Sequence, residues 1–123
     1  MDATGRFHPD ALARTFAAMA DFGEQLDALG VRHRRVVATS AARDAANSGE
    51  FFAGARERLG VDAEIISGEE EAGLSYAGAV SALPSLPQPV LVMDIGGGST
   101  ELVLGDGGTP SAAVSLDIGS VRL

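Results

Sequence analysis

In the run Asp94-Ile95-Gly96-Gly97-Gly98-Ser99-Thr100-Glu101, two carboxylates bracket three consecutive glycines and two hydroxyl side chains. Residues without a Cβ let backbone N–H groups approach an anion closely, and carboxylate oxygens are hard ligands for a divalent cation. The combination suits a phosphate group held together with a cation. A hairpin turn without a ligand is the plain alternative for three glycines, but such a turn has no need of a carboxylate at both ends. A Walker loop requires Lys followed by Ser or Thr, and this chain contains no Lys. A dinucleotide fingerprint spreads its glycines as G-x-G-x-x-G and opens a helix. Here residues 100–104 are β-prone and run into a second turn, Gly105-Asp106-Gly107-Gly108.

Three more acids stand together upstream, at Glu69, Glu70 and Glu71. Ser67 and Glu70 have the S-x-x-E spacing of a capping box, which assigns Glu70 to the helix start. Glu69 gains from the positive end of the helix dipole. Glu71 lies about 100° further round than Glu70, where a carboxylate facing a cleft can hold a water for attack. Stabilisation of the helix end is the other reading of all three. Arg43, in a turn after a strand, suits an anion ligand, or equally a surface partner for Asp44. The run Arg32-His33-Arg34-Arg35 lies at the opposite end of that strand and reads as a charged surface turn.

The elements that carry these groups follow from periodicity. Pro9 fits the first turn of a helix over residues 9–29, with Leu12, Phe16, Met19, Phe22, Leu26 and Leu29 as its inward stripe and Gly30 as its stop. A strand over 34–39, a polar turn through Ser40, Arg43 and Asn47, and a helix from 49 or 50 to 59 follow, the last ending at Gly60. Residues 63–66 read as a strand and Ser67 as the cap of a helix carrying Leu74, Tyr76, Ala77 and Val80. Pro84, Pro87 and Pro89 mark a loop before strands at 90–95, 101–105 and 112–117. That order predicts an α/β fold: a mixed sheet with flanking helices, parallel at first and ending in an antiparallel meander.

The 123 residues suit one compact domain, with 46% hydrophobic content to fill its core. A net charge of −8 argues against nucleic acid as a partner, so phosphate must be met by amides, a few arginines and a cation. No cysteine is present, which suits a reducing cytoplasm, and His8 and His33 are poorly placed for a histidine metal site. The apolar runs are too short to span a bilayer, so no membrane association is expected.

Together with residues 38–45 (Ala-Thr-Ser-Ala-Ala-Arg-Asp-Ala) and 65–72 (Ile-Ile-Ser-Gly-Glu-Glu-Glu-Ala), the 94–101 loop resembles the exopolyphosphatase / guanosine pentaphosphate phosphohydrolase (Ppx/GppA) family. The resemblance extends over residues 5–123 and implies a ribonuclease H-like fold of the actin, sugar-kinase and Hsp70-like superfamily. Family members begin with an earlier β-meander bearing a first phosphate loop, similar to D-x-G-S-N-S, and continue into a second half. On that basis residues 1–123 are expected to form a single, truncated part of the N-terminal domain.

By position, the resemblance makes Glu71 the catalytic base and Asp94 and Glu101 the carboxylates associated with Mg²⁺. Gly96, Gly97, Gly98, Ser99 and Thr100 correspond to the second phosphate loop. Arg43 is similar to an arginine lining the phosphate channel, and Gly119, Ser120 and Val121 to a further loop approaching the site. The implied activity is hydrolysis of terminal phosphoanhydride bonds in inorganic polyphosphate, or of the 5′ γ-phosphate of guanosine pentaphosphate, by a cytoplasmic enzyme. The 123 residues alone are expected to be inactive, and a bared sheet edge invites homodimerisation. Two alternatives stay open: an ATP-dependent kinase of the same superfamily, and a non-catalytic module that binds phosphate or alarmone. Retention of Glu71, Asp94 and Glu101 argues against the second.

Overall fold

The computed structural model describes residues 4–83 and 85–121. The chain is arranged in two compact units, Met1–Ile65 and Ile66–Leu123.

The first unit begins with α1 (Pro9–Ala28), whose N-terminus is capped by His8: its Nδ1 accepts from the Asp10 N–H at 3.2 Å. Pro9 costs nothing there because the first-turn N–H groups have no helical partner. β1 (Val36–Ala38), α2 (Ser40–Asp44), α3 (Ser48–Leu59) and β2 (Ala63–Ile65) follow. β1 and β2 pair in parallel, Val36 opposite Ala63 and Ala38 opposite Ile65. Beside this pair the Arg35 guanidinium donates to Glu64 at 2.5 Å and holds that carboxyl below the usual carboxylate range. α1 packs on α3 at close range because glycines stand at the crossing: a Cβ at Gly54 would strike the Phe16 ring, and one at Gly23 the Arg58 carbonyl.

Two expectations are corrected in this unit. Residues 40–44 form a short helix rather than a polar turn, with Ala42 and Arg43 N–H groups donating to the Thr39 carbonyl at 3.0 and 3.2 Å. Ala42 and Ala45 are buried, so small apolar residues give this turn of helix something to pack. In α1, Leu12 is buried and Phe16, Met19 and Leu26 are partly so, but Phe22 is 60% and Leu29 78% exposed.

The second unit is one helix on one sheet. α4 (Gly68–Ala82) starts at Ser67, whose Oγ accepts from the Glu70 N–H at 3.1 Å, as the capping spacing predicts. β3 (Val90–Ile95), β4 (Thr100–Asp106) and β5 (Thr109–Leu116) form an antiparallel meander in the order β3-β4-β5. Ala72 and Tyr76 of α4 pack on Val103, flanked by Val80, Val90 and Val92. Tyr76 is fully buried, and its hydroxyl donates to the Gly107 carbonyl at 3.1 Å in the β4–β5 turn.

The chain is thus α/β, as expected, and among the described residues it carries a parallel strand pair and an antiparallel meander.

Candidate functional site

Strand alternation decides which side chains share the face that α4 covers. Val90 and Val92 of β3 and Val103 of β4 contact the helix side, so Asp94 and Glu101, each two residues along from one of these, face the same way. The two carboxylates are direct partners in the β3–β4 register, and Ser115 of β5 is the next in that row, opposite Glu101.

Each carboxylate receives a hydroxyl. Ser115 Oγ donates to Glu101 Oε1 at 2.8 Å, and Ser75 Oγ, from α4, donates to Asp94 Oδ2. Glu101 is 2% exposed. Among the described residues neither acid is ion-paired with an Arg or His. Like charges directly opposite on neighbouring strands repel, and burial of one of them raises the cost. The donor set therefore fits a divalent cation, which would cancel that repulsion. No group of three or more His, Asp or Glu gathers among the described residues, so Asp94 and Glu101 form a two-carboxylate set there. Such a small set is the usual provision for Mg²⁺ held between protein and phosphate oxygens.

The glycine loop joins β3 to β4 at this end of the sheet. Gly96 N–H donates to the Ser99 carbonyl at 2.9 Å, closing the turn. Among the described residues, the next three N–H groups, of Gly97, Gly98 and Ser99, donate to no protein acceptor. Successive amides in a turn are a common means of meeting an anion. Gly96 and Gly97 do not owe their identity to a left-handed backbone, since among the described residues φ is positive only at Gly5, Gly30, Gly60 and Gly107. A Cβ at Gly97 would make only ordinary contact with Val121, at 3.9 Å. The packing of the described residues does not demand a glycine there.

Residues 118–121 brace this loop from behind. Ser120 and Val121 N–H groups donate to the Gly96 and Gly97 carbonyls at 2.8 and 3.0 Å, and Ser120 Oγ donates to Gly96 at 3.1 Å. Gly119 is buried, and a Cβ there would lie 2.5 Å from the Gly97 carbonyl and 2.7 Å from the Gly98 nitrogen. Thr100 Oγ1 donates to the Ile118 carbonyl at 2.6 Å, so its proton is used inside the protein, and Ser99 is buried.

Helical spacing separates the three glutamates of α4. Glu69 and Gly73 line a shallow recess with Val103, Pro110 and Ala113, on the β5 side. Ser75, on the other flank, reaches Asp94 of β3. Glu71 is one turn before Ser75 and so shares that flank, partly exposed. Glu71, Asp94, Glu101 and the 96–100 loop, with Gly119 and Ser120, all belong to the second unit. Arg43 belongs to the first, exposed in the last turn of α2 and 3.8 Å from an Asp44 oxygen. Ser75 and Ser115 are the residues that sequence reasoning missed. The signals for them were the four-residue step from Glu71 and the alternation of β5.

The whole chain, residues 1–123, matches the Ppx/GppA phosphatase family, and it belongs to that family. A curated relative, Exopolyphosphatase 2 of Mycobacterium tuberculosis, is 50% identical over 128 aligned residues that cover all of this chain and 40% of the relative. The chain therefore spans about two-fifths of that relative's length. Among solved structures, an exopolyphosphatase from Cytophaga hutchinsonii superposes with a TM-score of 0.87 at 31% identity, covering 98% of this chain and 38% of the other. The Aquifex aeolicus Ppx-GppA enzyme superposes with a TM-score of 0.78 at 33% identity, covering 95% and 39%. No helix among the described residues is long and apolar enough to cross a membrane.

Proposed function

We propose that this chain supplies phosphate-gripping and water-activating parts of a hydrolase. The substrate class is terminal phosphoanhydrides: inorganic polyphosphate, or the 5′ γ-phosphate of guanosine pentaphosphate. One observation carries the reading. Two carboxylates face each other without a cationic partner among the described residues, at the end of the sheet where three successive amides lack acceptors. Family membership supplies the reaction, and the ribonuclease H-like, actin-related ancestry is part of the same proposal.

Phosphoryl transfer to water asks a protein mainly to align the nucleophile and to neutralise charge on the phosphoryl oxygens. The amides of Gly97, Gly98 and Ser99 meet those oxygens as preorganised donors. Asp94 and Glu101 hold Mg²⁺, which when bound offsets negative charge on the phosphate. Glu71, on the flank of α4 nearer Asp94, orients a water and accepts its proton. Thr100, Gly119 and Ser120 keep the loop in shape. Lack of thiols suits work in a reducing cytoplasm.

The test is phosphate release from polyphosphate and guanosine pentaphosphate, with Mg²⁺, by a chain extended to its relatives' full length. Glu71→Gln is expected to abolish turnover without changing the circular dichroism spectrum. Turnover near the unsubstituted rate would remove Glu71 from the role of base.

A further inference from the structure

We propose that Ser75 is a positioning residue that sets the orientation of Asp94 and ties it to the helix bearing Glu71, an assignment that rests on the cation-and-phosphate reading above. A carboxylate on a single methylene turns freely about its last torsion, so its direction is set by whatever binds it. Among the described residues, the side-chain bond Asp94 makes is the one from Ser75. That bond occupies Oδ2 and leaves Oδ1 as the acceptor for a cation.

Helix formation gives no reason for a serine at this position, since Ala is the better former. A serine inside a helix commonly turns its hydroxyl back to the carbonyl four residues earlier. Ser75 instead donates across to β3. Because Ser75 follows Glu71 by one turn on the same flank, a slide or rotation of α4 that displaced Glu71 would also break the bond to Asp94. One hydroxyl thereby registers the proposed base against the proposed cation ligand. Ser115 holds the neighbouring Glu101 in the same manner from β5.

Mn²⁺ serves as the probe, its binding to the 123-residue chain followed by the electron paramagnetic resonance signal of the free ion. Four chains are compared: unsubstituted, Ser75→Ala, Ser75→Thr and Asp94→Asn. Ser75→Ala is expected to weaken Mn²⁺ binding about tenfold, the usual effect of removing a partner of a metal ligand. Its thermal midpoint in EDTA should fall slightly, because Asp94 Oδ2 loses its donor, and Ser75→Thr should recover it. Ser75→Thr should restore most of the affinity, and Ser75→Ala added to Asp94→Asn should change it no further. If Ser75→Ala binds Mn²⁺ like the unsubstituted chain while Asp94→Asn does not, the role of Ser75 is refuted and the cation reading stands. Failure of the unsubstituted chain to bind Mn²⁺ any better than Asp94→Asn overturns both. A fall in midpoint for Ser75→Ala that Thr does not rescue also overturns the assignment, because it marks a packing role.

Discussion

Asp94 and Glu101 oppose each other across two strands, with Glu101 almost wholly buried. Without a cation their repulsion opposes folding, so neutralising one of them should help the empty protein. Asp94→Asn is expected to raise stability in EDTA by about 0.2–1 kcal/mol, read from urea denaturation. In Mg²⁺ the order reverses: the unsubstituted chain gains stability by mass action and Asp94→Asn does not. A thermal scan with and without EDTA separates the two cases. Ser115→Ala leaves Glu101 Oε1 without its donor and should cost about 1–3 kcal/mol by the same denaturation measurement. The acids were legible in the sequence because carboxylates beside glycines are an unusual combination. The serines were not, since a hydroxyl on a helix or strand has no meaning until packing shows what lies across from it.

The glycine turn depends on elements distant in sequence. The 118–121 segment, about twenty residues downstream, holds the Gly96 and Gly97 carbonyls, and it comes close enough only because Gly119 has no side chain. Gly119→Ala would press a methyl into the Gly97–Gly98 peptide. The expected result is a loss of about 1–3 kcal/mol in denaturant and weaker retention of phosphate by the loop in isothermal titration. Recognition of α4 from its cap was sound, because Ser67 and its spacing to Glu70 are local chemistry. α2 escaped notice for a related reason. Five residues are too few for a periodic pattern, and what stabilises them is burial of Ala42 and Ala45 rather than any signal of their own.

The sheet of the second unit has two unlike faces. One is covered by α4; on the other, Leu91, Met93, Ile95, Leu104, Val114 and Leu116 remain exposed. Cross-strand partners Leu91 and Leu104 make this a continuous apolar surface flanked by β3 and β5, which pair with no further strand among the described residues. Surfaces and edges of this kind promote association. The 123-residue chain should therefore show a weight-average mass that rises with concentration in sedimentation equilibrium. Met93→Glu should suppress that rise while leaving the α4-facing core intact. In phosphate-release assays the same chain is expected to show little turnover, since it spans only two-fifths of the length of a curated relative.

Local chemistry is readable from order along the chain: helix caps, glycine stops at Gly30 and Gly60, alternation in β3 to β5 and the acid-flanked glycine loop all depend on neighbours a few residues apart. Family membership was readable too, because such motifs lie within short continuous runs. Register, helix rotation and the partition into two cores depend on contacts between residues far apart, where many arrangements satisfy the same local preferences. Packing of Tyr76 against Gly105 and Val103 selects one of them. That selection turns Ser75 toward Asp94.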